Sequence, residues 1–437
     1  MTHAHGLRRW QVIAYCAPAV PFAMLSAPAL TIIPALYLSW SDIGTKTLAA
    51  GLLVTNIAHA AALPAAGMIS DRFSANPHNR VILLCCAMAL AGVAWWQWLA
   101  IDAHEAAAAF IGWSLLLVTA DAVFETNHPA LAADLAPRDD GRLLLLSARS
   151  IGSVAGYFCC FALLEWQRGA DRIGRAAVQW LTRSTIVLLA AAAAALCLLA
   201  VRSANSSTKV TAVSRNPVGG RFARTRQILL NHGVRSLLAV TGAQSLASGM
   251  TAGLIYAFMD RALGIAWAAP QIFMAGAAVS ILTAMACPAL ARRFSFRAII
   301  AGSATVAASV NVAMGLLPFV GGGREAVMIL FGIAALANTP STIAVSTLMA
   351  RFVRPSEESG TGSLLGTAYG LSAATNLVAT AVGAALTVHL LPEKGTSSPA
   401  FFLATIGLAP AGCLVIAALL ANRLLPREIP DPAERNP

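Results

Sequence analysis

Residues 67–80 read GMISDRFSANPHNR. The stretch is charged and short, and it separates two long apolar segments at 47–70 and 81–101. Only 11% of the chain is charged, against about 25% in an ordinary soluble domain. An Asp-Arg pair in such a chain marks a place where the backbone leaves an apolar medium and meets water.

Working outward from that pair, the same alternation recurs along all 437 residues. Hydrophobic residues make up 58% of the chain and mean hydropathy is +0.70. The run 187–201, VLLAAAAAALCLLAV, is wholly apolar. A membrane-spanning helix needs about 20 predominantly apolar residues. Twelve segments meet that length, at 11–38, 47–70, 81–101, 106–134, 143–166, 178–201, 236–260, 268–291, 298–320, 326–350, 361–390 and 400–422. The expected fold is therefore all-α and integral to the membrane.

With the N-terminus inside, the inner segments carry 21 Lys and Arg and the outer loops seven. Basic residues collect on the cytoplasmic side, so both termini are expected in the cytoplasm and the chain in the cytoplasmic (inner) membrane. This asymmetry also accounts for the net charge of +11 without a nucleic-acid partner. MTHAHGLRRW precedes an apolar run too long for a cleavable signal. Residues 202–235 hold seven basic residues and no acidic one, and divide the chain into bundles at 1–201 and 236–422, with a tail at 423–437. The end of that loop, FARTRQILLNHGVRS, reads either as a short helix on anionic headgroups or as a plain linker.

The halves repeat each other. DRFSANPHNRVI follows the second span and RRFSFRAII the eighth; LAADLAPRDDG follows the fourth and LMARFVRPSEESG the tenth. Asn127-x-Pro129 is echoed by Asn338-x-Pro340. A parallel six-plus-six duplication belongs to secondary transporters with a site near the bilayer midplane.

Ionisable residues inside a bilayer are costly, so each is a functional candidate. Asp121, Glu125 and His128 in the fourth span are spaced i, i+4, i+7 and share one helix face. Folding the fifth span back on the fourth brings Arg149 level with His128 and close to Glu125. A Glu125–Arg149 pair would bind substrate, or would only fix two helices. His59 in the second span is either a proton-coupling site or a hydrogen-bonded core histidine; Asp121 and Glu125 are the other proton candidates. Tyr15, Asn127, Gln244, Tyr369 and Asn376 add hydroxyl and amide groups as candidate substrate ligands. Asp71, Arg72, Arg80, Asp134, Arg142 and Arg293 flank the inner ends of spans and are the candidate gate.

Eight cysteines lie within apolar segments and none forms a C-x-x-C. They read as small buried apolar residues, with no metal site or disulfide framework expected. Trp95, Trp96 and Trp98 look like an aromatic binding box, but their place near the outer end of the third span favours an interfacial belt. No phosphate-binding loop, zinc spacing or hydrolase elbow occurs, so neither an enzyme nor a cofactor is expected.

GMISDRF after the second span resembles the signature of the major facilitator superfamily. YCAPAVPFAMLSAPALTIIPALYL, NHPALAADLAPRDDGRLLLLSARSIG and LMARFVRPSEESGTGSLLGTAYGL resemble its glycoside–pentoside–hexuronide:cation symporter branch. The resemblance implies a sugar-like solute moved by alternating access with a coupled cation. It places Arg149 where that branch keeps a sugar-contacting arginine. The branch's paired cation-binding carboxylates in the second span fall on His59 and Leu63, ahead of Pro64. Its carboxylates in the fourth and first spans fall on Asn127 and Ala23, and a lysine of the eleventh on Asn376. With the sodium-binding carboxylates absent, proton coupling is expected instead.

The expected function is secondary transport of a small solute, by rocking of 1–201 against 236–422, in a monomer whose partners are the solute, a coupling proton and the bilayer. Export of an apolar metabolite, or a non-transporting assembly or receptor role on the same fold, are the alternatives.

Overall fold

The computed structural model describes residues 7–31, 37, 44–73, 77–99, 106–136, 138–166, 175–204, 221–356, 364–390 and 398–426. Residues 205–220 of the central loop and most of the expected tail lie outside them. Among the described residues there are helices and no strand.

In chain order the helices are α1 (Arg9–Cys16), α2 (Ala19–Thr31), α3 (Thr45–Phe73), α4 (Pro77–Leu99), α5 (Ala106–Leu135), α6 (Asp139–Trp166), α7 (Arg175–Ala204) and α8 (Arg221–Leu230). They continue with α9 (His232–Arg261), α10 (Ala269–Arg293), α11 (Phe296–Val320), α12 (Arg324–Ser356), α13 (Leu365–His389) and α14 (Pro399–Leu424). Ten of these are long and apolar enough to cross a membrane. α9, thirty residues long, is not among the ten; Thr241, Gln244, Ser245 and Ser248 dilute its apolar content. The first expected span is divided into α1 and α2 by a turn at 17–18, because Pro18 has no N–H to give the helix ladder.

Local chemistry sets the helix ends. Asn231 accepts from the Val234 N–H at 3.3 Å, Ser295 from Ala298 and Ser398 from Phe401, both at 3.2 Å; each satisfies a donor that a helix N-terminus leaves open. Gly321 ends α11 in the left-handed region at φ 68°, which a residue without Cβ adopts freely.

The chain divides into two compact units. The first comprises 1–225 with 353–374, the second 226–352 with 375–437. The opening turns of α13 thus group with the first unit. There a Cβ on Gly67 of α3 would collide with the backbone oxygen of Gly366, so the two helices meet backbone to backbone. In the second unit a Cβ on Gly249 of α9 would collide with the Thr380 carbonyl of α13. Small residues let helices approach this closely where apolar lipid offers no hydrophobic drive.

The tryptophan cluster departs from the expected belt. Trp95 and Trp98 are buried, and only Trp96 is exposed. Trp95 and Trp98 are one turn apart on the inner face. Their rings meet edge on at 6.0 Å, and Trp98 lies 5.7 Å from Phe110. The Tyr37 hydroxyl donates to the Trp98 carbonyl at 2.7 Å. The cysteines also depart in part: Cys86, Cys159 and Cys197 are exposed, and Cys85 and Cys197 approach to 3.7 Å as free thiols. The end of the central loop does form a helix, α8, with Ile228 buried and Leu229 and Leu230 exposed.

Candidate functional site

One face of α5 organises the charged residues of the first unit. Asp121, Glu125 and His128 project from it toward three other helices. Asp121 Oδ2 lies 3.1 Å from His59 Nε2 of α3. Glu125 Oε1 accepts from Arg149 Nη2 of α6 at 2.6 Å. His128 meets both Arg149 and Tyr15 of α1.

The partners of His128 fix its state. Arg149 Nε, which can only donate, lies 3.2 Å from His128 Nδ1. The Tyr15 carbonyl, which can only accept, lies 2.7 Å from His128 Nε2. The ring must therefore carry its proton on Nε2 and none on Nδ1. The Tyr15 hydroxyl returns a bond to the His128 carbonyl at 3.0 Å, and the two rings stack at 4.4 Å. Both residues are fully buried. They orient Arg149 and do not face a cavity.

Arg149 is gripped on three sides. Besides Glu125 and His128, its guanidinium stands 5.7 Å over the Phe124 ring, an arrangement that favours a cation. Phe22 backs Phe124 in a parallel stack at 3.9 Å. A guanidinium has five N–H donors; only Nε and one on Nη2 are engaged here among the described residues. The side chains remain partly exposed, 18% for Arg149 and 37% for Glu125, so both present unfilled hydrogen-bonding capacity to open space.

Tyr157 and Ser26, absent from the expected site, share a hydroxyl–hydroxyl contact at 3.4 Å. Neither is charged, and nothing in the sequence separates them from other polar residues in spans. Asn127 is buried; its amide donates to the Val123 carbonyl at 2.8 Å, and its Oδ1 has no partner among the described residues. Tyr369 is buried in the first unit.

A second cluster gathers the candidate gate residues. Asp71, at the end of α3, accepts from the Gly366 N–H on Oδ1, and from the Thr367 N–H and hydroxyl on Oδ2, each at 2.7 Å. It caps α13 from another helix, a negative group at a positive helix end. Arg80 is fully buried. It donates to Ser70 Oγ at 2.6 Å, with Nε 2.7 Å from Asp134 Oδ2 and Nη2 3.8 Å from Asp71 Oδ1. Arg142 donates to Asp139 at 3.0 Å. Arg72 is exposed and stands outside the network, and Arg293 is exposed in the second unit.

The remaining candidates belong to the second unit. Gln244 donates to Ser341 at 3.2 Å, and Asn376 accepts from Ser245 at 3.0 Å. Thr251 donates to Asn311 at 2.9 Å. This set has hydroxyls and amides but no charge.

A sequence profile described as "MFS/sugar transport protein" matches residues 14–421. The chain belongs to the major facilitator superfamily. Its fold agrees with solved structures of that superfamily across nearly the full length. The E. coli fucose:proton symporter aligns with a TM-score of 0.61 at 14% identity, covering 95% of this chain and 99% of that one. The proton:xylose symporter bound to 6-bromo-6-deoxy-D-glucose gives 0.68 at 12% identity, covering 95% of each. A bacterial homologue of the iron transporter ferroportin in an outward-facing state gives 0.69 at 14%, covering 95% and 98%. At such identities these establish the twelve-helix fold, and cargo must be argued from the residues. No curated protein matches this chain by sequence.

Proposed function

We propose that the chain is a proton-coupled secondary transporter of a small hydroxylated, sugar-like solute. It would act as a monomer in the cytoplasmic membrane with both termini inside. The carrying observation is that two polar pairs sit one helical turn apart on one face of α5: His59–Asp121 at 3.1 Å and Glu125–Arg149 at 2.6 Å. Histidine is the side chain whose ordinary titration range spans neutral pH. Beside Asp121 it forms a place where one proton can be held and released.

Arg149 would hydrogen-bond the solute through its open N–H donors, with Glu125 accepting from solute hydroxyls. Proton and solute would then meet on the same helix, which supplies a physical route for coupling. The segments 1–201 and 236–422 would move in alternating access. The Asp71–Arg80–Asp134 cluster, with the capped start of α13, would hold the cytoplasmic side shut.

Reconstituted vesicles with imposed pH or sodium gradients test this reading. Solute flux should respond to the pH gradient and not to sodium. Flux indifferent to both gradients sinks it.

A further inference from the structure

The charge balance of the α5 face reaches further than the presence of a site. Among the described residues of the first unit, Asp121, Glu125, His59 and Arg149 are the partly exposed ionisable side chains on this face. His128 is locked between Tyr15 and Arg149, and Arg183 is exposed on α7. The set contains one permanent cation, Arg149, already paired to Glu125. By sequence, the stretches 236–260, 262–291, 298–323, 326–350 and 361–388 contain no Lys or Arg.

An anionic solute aimed at Arg149 would have two options. It could displace Glu125, leaving that carboxylate unpaired one turn from Asp121. It could instead lie beside Glu125 as a like charge. Either arrangement is unfavourable, the more so the less water reaches the pair. An uncharged hydroxylated solute meets neither obstacle. Its oxygens accept from the open donors of Arg149 and its hydroxyls donate to the partly exposed Glu125 carboxylate. Tyr157 and Ser26 add hydroxyls that can serve as donor or acceptor.

We infer that Glu125 is a specificity-determining residue: by occupying Arg149 it selects uncharged hydroxylated solutes and rejects sugar acids. The inference rests on the transport reading for the site's purpose, but it can be tested by binding alone. Its consequence is a reversal. Glu125→Gln keeps the side-chain shape and a hydrogen-bonding oxygen, yet removes the charge and leaves Arg149 an unpaired cation.

The test uses the purified full chain in neutral detergent, titrated with glucose and glucuronate and read by ligand-induced change in melting temperature. Wild type should bind glucuronate at least about tenfold more weakly than glucose, an energy difference of roughly 1.4 kcal/mol. Glu125→Gln should gain at least about tenfold for glucuronate. A wild-type chain that takes glucuronate as well as glucose overturns the inference. So does a folded Glu125→Gln chain, judged by its unliganded melt, that gains nothing for glucuronate. If the reversal holds while vesicles show no gradient-driven flux, the transport reading falls and the charge selection stands.

Discussion

Asp71 and Thr367 lie 296 positions apart and are joined by two hydrogen bonds of 2.7 Å to one carboxylate oxygen. The other oxygen holds Gly366. A single aspartate at the end of α3 therefore satisfies the start of α13. Hydrogen bonds to a charged group contribute about 1.5–3 kcal/mol each. Asp71→Ala should lower the melting temperature of the purified protein markedly. Thr367→Val, which removes the hydroxyl but keeps both N–H donors, should lower it much less. Equal losses would show that the N-terminal cap is not what Asp71 provides.

Arg149 should not tolerate replacement by another cation. An ammonium cannot meet His128 Nδ1 and Glu125 Oε1 with the geometry of a planar fork. Arg149→Ala should abolish transport, and Arg149→Lys should leave less than about a tenth of it, as measured by uptake into vesicles. A Lys variant near wild-type rates would leave the guanidinium geometry without a function.

Asp121→Asn and His59→Ala should separate flux from its driving force. With the proton site gone, solute exchange between equal concentrations should persist while accumulation driven by a pH gradient is lost. Retained accumulation in both variants would place the proton elsewhere. Gradient-driven uptake and equilibrium exchange, measured on one vesicle preparation, distinguish these outcomes.

Gly249 leaves no room for a side chain, since its Cβ would fall on the Thr380 carbonyl. Gly249→Val should force α9 and α13 apart and reduce the yield of folded, monodisperse protein. The same exchange at Gly302, with open space around it, should have little effect on yield, as size-exclusion chromatography would report.

These predictions rest on features of unequal visibility in the sequence. The spans and the GMISDRF boundary follow from hydropathy and charge, because the bilayer penalises polar backbone and side chains so heavily. Glu125 and Arg149 could be matched because consecutive antiparallel helices have a countable register. His59 and Asp121 were each visible as candidates but not as partners. Their helices are not consecutive, and no turn length fixes their alignment. The partners of Asp71 were hidden for another reason: backbone N–H groups at a helix start carry no residue signature. For Trp95 and Trp98 the sequence shows position along a span but not which way around it each ring faces, and burial depends on the second.

His128 has one more consequence. With both ring nitrogens committed, one to Arg149 and one to the Tyr15 carbonyl, the imidazole cannot relay a proton without first breaking a bond. It separates the Arg149 pair from α1 as an insulator separates conductors. A carrier that couples to protons must also prevent them from leaking past its site. On the proton-coupled reading proposed above, a histidine held in this way beside a permanent guanidinium would block that route toward α1.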